Sequence, residues 1–327
     1  MGRGRTAAII LTARAPTPAP PGAAGLVHPF RYVAAGSIDE AVAVLREHGA
    51  RARPLAGGTD ILAQLRAGRF ELDALVDVKG VPEASALRLG RDGLDIGAAV
   101  PCYRIYEDPD VSAAYPGIVD AASLIGGIQI QSRATIGGNL CNAAPSADSI
   151  GPLIVHAAAV TLAGPAGTRT VPVDSFCTAP GRTVLGEDEL AVSIHVPRPP
   201  ARFGAAYERF IPRNEMDIAV VGVACAVVLD RSGERIESAR IALASVGPTP
   251  IVAAKAAASL VGGPPSADAF RAAGEVAADE ASPIDDMRGT IGHRRDLVRV
   301  LTRRTLERAV QRASGGTASG NTGRGTR

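Results

Sequence analysis

The chain is 327 residues long with 46% hydrophobic and 21% charged residues, a balance that supports buried cores and excludes a largely disordered protein. Its 35 basic against 33 acidic residues leave a formal charge of +2, and there is no tryptophan, which argues against a nucleic-acid binder working through overall charge or base stacking. Lys79 and Lys255 are the only lysines and neither follows a GxxxxG run, which excludes a P-loop nucleotide hydrolase; no apolar run reaches the roughly 18–20 residues of a membrane span.

Residues 1–27 are rich in Ala, Pro, Gly and Arg and are expected to form a disordered extension. Ala7 to Leu11 is too short for the apolar region of a signal peptide, which points to a cytoplasmic protein. Ser37 to Gly49 is predicted as a helix, with Ser37 and Glu40 as a capping box and Ile38, Ala41, Val42 and Leu45 as its apolar stripe. A strand over Arg53 to Ala56, a helix from Asp60 to Ala67 and a strand over Ala74 to Val78 then imply a parallel βαβ unit.

A second unit is expected to contain a strand over Leu94 to Val100, a helix over Ile118 to Ile125 and a glycine-rich stretch from Gly126 to Asn139. A helix over Asp148 to Ala158, a hairpin from Val160 to Val173 and a strand over Glu189 to Val196 complete it before the boundary Pro197-Arg198-Pro199-Pro200. In the third unit, strands over Ile218 to Leu229 and Ala239 to Ser245 flank a turn at Ser232-Gly233, an antiparallel pair. Helices are predicted over Ile251 to Leu260, Ser266 to Ala278 and Gly292 to Ala313, and residues 314–327 read as a disordered tail. The arginines of the last helix (Arg294, Arg295, Arg299, Arg303, Arg304, Arg308 and Arg312) are expected on a solvated face.

Cys102, Cys141, Cys177 and Cys225 match no CxxC spacing, and the five histidines show no HxxxH or HxH pair. No metal site is predicted, the thiols are expected to be small, buried and reduced, and no catalytic constellation stands out. Two segments do carry chemistry: Ala56-Gly57-Gly58-Thr59-Asp60 and Thr135-Ile136-Gly137-Gly138-Asn139. Glycine lets backbone amides approach a ligand with no Cβ in the way, and successive N–H groups form a nest for an anion. Two such loops would clamp a diphosphate from both sides, and Asn139 adds an amide side chain. Taken singly, each loop also reads as an ordinary turn.

Together with their surroundings, these loops resemble a known family. Pro54-Leu55-Ala56-Gly57-Gly58-Thr59-Asp60-Ile61 and Arg133-Ala134-Thr135-Ile136-Gly137-Gly138-Asn139-Leu140 are similar to the two FAD-diphosphate loops of the flavin subunits of molybdenum hydroxylases, the medium chains of carbon monoxide and xanthine dehydrogenases. The likeness continues through Cys141 to Ser149, Leu190 to Pro197, Tyr207-Glu208-Arg209-Phe210, Met216 to Ala219, Pro283 to Arg288 and His293-Arg294-Arg295, all in the family's order.

The resemblance implies an α+β chain: two α/β subdomains of the vanillyl-alcohol-oxidase-type FAD-binding fold over residues 28–85 and 86–200, and a C-terminal α+β domain over 201–313. Pro54 to Ile61 and Thr135 to Asn139 would hold the diphosphate. Asp148 would meet the nucleotide, Ile125 would lie near the flavin, and Leu190 or Ala191 would set backbone against the adenine or ring. Arg209 stands where the family usually has a lysine near the isoalloxazine. It keeps the charge with a different donor geometry. As alternatives, Asp148 would cap the following helix and Arg209 would pair with Glu208 or Asp217 at the surface.

The implied activity is electron transfer. A molybdopterin-binding large subunit would oxidise the substrate, a 2Fe–2S subunit would relay electrons, and this chain's FAD would deliver them to NAD, a quinone or dioxygen, in a heterohexamer without nucleic acid. A self-contained FAD oxidase of the same fold and a non-enzymatic anion-binding module are the alternatives.

Overall fold

A computed structural model describes residues 27–213 and 215–315. The extension and tail expected at the two ends lie almost wholly outside these residues. Among them, four sheets organise the chain.

The first sheet has three parallel strands, β1 (Arg31–Ala34), β2 (Ala52–Leu55) and β3 (Ala74–Asp77), in the order β1-β3-β2. The helix between β1 and β2, Ile38–His48, starts as the sequence dictates: Ser37 Oγ accepts the Glu40 N–H. The Glu40 carboxylate takes the N–H of Gly36, one residue earlier than the capping box predicts. This helix buries Ala41, Val42, Val44 and Leu45. Its core includes Ala163, Leu190 and Val192 of the second sheet, so one helix serves two sheets.

The second sheet is antiparallel throughout. It consists of β4 (Leu87–Leu89), β5 (Gly93–Gly97), β6 (Ala159–Gly164) and β7 (Gly167–Pro172), with β10 (Leu190–Pro197), in the order β4-β5-β10-β6-β7. The hairpin of β6 and β7 turns at Gly164 and Gly167 as expected. A ribbon of β8 (Cys177–Ala179) and β9 (Arg182–Thr183) lies between β7 and β10 in sequence. The glycine-rich stretch from Gly126 to Asn139 contains the helix Ile128–Gln131 and the start of the helix Ile136–Asn142.

The third sheet is an antiparallel meander of β11 (Phe203–Phe210), β12 (Val221–Leu229), β13 (Ile236–Ala244) and β14 (Ile251–Val252). The helices Ala267–Glu280 and Ile291–Ala313 share a core with β12 and β13. The predicted helix over Ile251 to Leu260 is corrected to a short strand followed by the helix Ala254–Ala258, because Ile251 and Val252 pair with Leu243 and Ala242 before the chain turns helical.

The solvated-face reading of the last helix is also corrected. Arg294 is buried; its Nη1 donates to the carbonyls of Val220 and Ser245, and its Nη2 to both carboxylate oxygens of Asp286. Arg312 donates to both oxygens of Asp120 at 2.6 and 2.9 Å, and Arg308 to one of them at 3.1 Å. Asp120 belongs to the helix Pro116–Ala122 beneath the second sheet and also accepts the Tyr207 N–H of β11. These charge-assisted bonds tie the third sheet and its last helix to the second unit. No described helix is long and apolar enough to cross a membrane.

Candidate functional site: a cleft between two glycine loops

The first loop leaves β2 at Leu55 and enters the helix Ile61–Arg66. Gly58 takes a φ of +81°, the left-handed region that glycine enters without penalty. The N–H groups of Gly57, Gly58, Thr59 and Asp60 have no acceptor among the described residues. Behind the loop, Lys79 Nζ donates to the Ala56 carbonyl and to Asp77 Oδ1, while the Tyr32 hydroxyl donates to Asp77 Oδ2. Hydrogen bonding from Lys79 and Tyr32 holds the Asp77 carboxyl below its usual range, against the opposing effect of burial, which is the largest single influence on it.

The second loop opens the helix Ile136–Asn142. Thr135 caps it, its Oγ1 accepting the Gly138 N–H at 2.8 Å. The Gly137 N–H has no acceptor among the described residues; Ile136, fully buried, follows the bridge that pairs Thr135 with Pro101. The first loop touches the segment leading into the second, since a Cβ on Gly57 would lie 2.0 Å from the Arg133 carbonyl oxygen; Gly137 packs instead on Ala98 after β5, whose backbone atoms a Cβ would meet at 2.5 Å. Gly138 differs, since within 4 Å its Cβ would meet the Thr135 hydroxyl alone, at 2.9 Å. Gln64 Nε2 donates to Asn142 Oδ1 at 2.9 Å and links the two helices that follow the loops.

Between the loops lies a cleft of about 1300 Å³. That exceeds the roughly 300–1,000 Å³ of an ordinary small-molecule pocket and suits a dinucleotide. Of the residues singled out in the sequence, Pro54, Ala56 to Ile61, Ile125, Thr135, Gly137, Gly138, Asn139, Leu190 and Ala191 line it. Leu55 instead packs in a small core with Leu65, Leu72 and Leu75, and Ile136 is fully buried.

Asp148 and Arg209 do not line the cleft. Asp148 is buried, with Oδ1 accepting the Tyr207 hydroxyl at 2.7 Å and Oδ2 accepting Arg209 Nη1 at 2.5 Å. Burial pushes the Asp148 carboxyl upward, opposed by the Arg209 charge and the Tyr207 hydrogen bond. Arg209 pairs with neither Glu208 nor Asp217, and its Nε is buried without a partner among the described residues. Asp148 does not cap the helix Ile150–Val155 either.

Other parts of the wall carry no motif. Arg53 and Phe70 line one side, the guanidinium 5.7 Å from the ring centroid, and the segment from Thr178 to Glu187, which includes the β8–β9 ribbon, supplies much of the lining elsewhere. Gln64 and Asn142 follow their glycine loops by one helical turn, a spacing that marks them as cleft-facing once the loops are recognised. Burial pushes the Cys141 thiol, also on the wall, up to about 12, so it is no nucleophile at neutral pH. The arrangement brings N–H donors of both glycine loops, without acceptors among the described residues, to a dinucleotide-sized cleft. It fits FAD, whose diphosphate needs donors from both sides.

Comparison with known proteins agrees. Residues 28–199 match the family described as FAD binding domain in molybdopterin dehydrogenase, and residues 205–309 match the CO dehydrogenase flavoprotein C-terminal domain. The chain is 32% identical over 286 residues to a putative xanthine dehydrogenase FAD-binding subunit of Escherichia coli, covering 87% of this chain and 97% of that one. It is 33% identical over 285 residues to the carbon monoxide dehydrogenase medium chain of Hydrogenophaga pseudoflava, covering 87% and 98%. A solved carbon monoxide dehydrogenase from the same organism superposes with a TM-score of 0.83 at 33% identity, over 88% of this chain and 99% of that one. Quinoline 2-oxidoreductase from Pseudomonas putida gives 0.81 at 28% identity, over 87% and 98%. The paired glycine loops and the cleft they line, together with these matches, place this chain in the family of FAD-binding subunits of molybdopterin-dependent oxidoreductases.

Proposed function

We propose that this chain is the electron-transfer subunit of a molybdenum hydroxylase, taking electrons from the iron–sulfur clusters of one partner and passing them to NAD, a quinone or dioxygen. FAD supplies the exchange between one-electron and two-electron carriers; the protein supplies its position and electrostatics. The observation that carries this reading is that both glycine loops line one dinucleotide-sized cleft and bring to it N–H groups without acceptors among the described residues. Gly57, Gly58, Thr59 and Asp60 would donate from one loop and Gly137 from the other, with Ile125 toward the ring and Leu190 and Ala191 along the nucleotide. Asp148 and Arg209 would brace this end of the cleft through their mutual ion pair.

The three larger sheets support the division into units at 28–85, 86–200 and 201–313. The partners would be a 2Fe–2S subunit and a molybdopterin-binding large subunit, assembled as a cytoplasmic heterohexamer. The segment from Arg209 to Ala219 would lie over the flavin and govern access of the electron acceptor. Purification from the native host tests the assignment: the chain should show a flavin absorbance spectrum, release FAD non-covalently and co-purify with both partners. Rapid flavin reduction by an organic substrate in the isolated chain would overturn it and favour a self-contained oxidase.

A further inference from the structure

We infer that Ser149 is a positioning residue: it fixes the amide of Asn139 so that the NH2 group faces the cleft as a donor to an oxygen of the bound flavin dinucleotide. This rests on the reading of the cleft as the FAD site.

The orientation follows from donor chemistry. Asn139 Oδ1 accepts two hydrogen bonds from Ser149, one from its hydroxyl at 2.6 Å and one from its backbone N–H at 3.3 Å. A backbone N–H only donates, so the side of the amide facing Ser149 must be the oxygen. The Nδ2 group is thereby turned away from Ser149 and has no partner among the described residues, while Asn139 lines the cleft.

Both ends of this contact are held. The Asn139 N–H donates to the Thr135 carbonyl at 3.0 Å, which fixes its backbone in the second glycine loop. Ser149 is 1% exposed and follows Asp148, whose carboxylate is gripped on both oxygens by Tyr207 and Arg209. Ser149 therefore acts on the ligand through Asn139. Without its hydroxyl the amide keeps one long bond and is free to turn its oxygen toward the acceptor oxygens of the dinucleotide.

The test is FAD affinity of the full-length apoprotein, followed by quenching of flavin fluorescence, with apoprotein melting temperature as the check on folding. Ser149→Ala should weaken binding about three- to tenfold, the range of one ordinary hydrogen bond. Ser149→Thr should restore it. In an Asn139→Ala background, Ser149→Ala should add nothing. Asn139→Asp keeps an acceptor for both Ser149 bonds but removes the NH2 donor, so it should bind FAD at least as weakly as Asn139→Ala. Wild-type affinity in Ser149→Ala or Asn139→Asp, or an undiminished Ser149→Ala effect in the Asn139→Ala background, would overturn the inference alone. A wild-type chain that takes up no FAD would overturn the cleft reading and this inference with it.

Discussion

Gly57 packs against the carbonyl of Arg133 so tightly that a Cβ at that position would lie 2.0 Å from the oxygen. The first glycine loop is thus in direct contact with the segment leading into the second, and glycine at 57 serves the protein itself before any ligand arrives. Gly57→Ala should lower the melting temperature of the apoprotein and its FAD content together. Gly138 has room for a Cβ except at the Thr135 hydroxyl, so Gly138→Val should lose FAD at least tenfold with a smaller loss of apoprotein stability. Parallel thermal melts and flavin-to-protein absorbance ratios separate the two roles. Equal stability losses in the two variants would show that Gly138 is structural as well.

The buried Asp148–Arg209 pair gives an asymmetric expectation. Arg209→Met strands the carboxylate and should cost about 3–5 kcal/mol in denaturant unfolding, as for other buried pairs that lose one member. Adding Asp148→Asn to that variant should recover much of the loss, since no buried charge remains uncompensated. A double variant no more stable than Arg209→Met would show that the lost stability is packing.

His156 predicts a sensitivity to acid. Its ring lies between Tyr115 and Phe203, centroids at 5.8 and 5.0 Å, and burial pushes its pKa from 6.5 down to about 3. The unfolded chain binds this proton more readily, so stability present above pH 6.5 is lost as the pH falls toward 3, by a few kcal/mol in order of magnitude. His156→Met should flatten the fall of melting temperature between pH 6.5 and 4. An unchanged slope would assign the acid lability to carboxylates instead.

Asp60 lines the cleft without a cationic partner among the described residues, and desolvation raises its carboxyl pKa. Its charged form opposes an anionic diphosphate, while its backbone N–H remains a donor. Asp60→Asn should slow FAD dissociation by about two- to fivefold at low salt and less at high salt. In the native chain, FAD retention should improve as the pH falls through the Asp60 pKa; in the variant that dependence should vanish. Stopped-flow release measured against pH and ionic strength checks both.

Features that rest on neighbouring residues were legible in the sequence. The Ser37 cap, the glycine pairs between strand and helix, and the hairpin at Gly164 and Gly167 all follow from local backbone requirements. Pairings across long sequence distances were not. Nothing in the order of residues joins Asp148 to Tyr207 and Arg209, because β11 meets Asp148 only through tertiary packing, at sequence separations of 59 and 61. Arg294 was misplaced for a related reason. Guanidinium groups surround the last helix, so periodicity gives no sign that one of them replaces an apolar residue and satisfies two main-chain carbonyls. The wall from Thr178 to Glu187 holds only the short β8–β9 ribbon, whose strands of three and two residues carry no readable alternation.

The Asp120 carboxylate sets an order on biosynthesis. It is made early, yet Arg308 and Arg312 are among the last described residues to leave the ribosome. Until then a nascent chain carries an acid whose guanidinium partners do not yet exist. Tyr207, made before them, gives its N–H to Asp120 and its hydroxyl to Asp148. Seating of the second unit on the third sheet is therefore coupled to arrival of the final helix, and a ribosome stalled before that helix would hold a chain whose halves are assembled but not yet fastened.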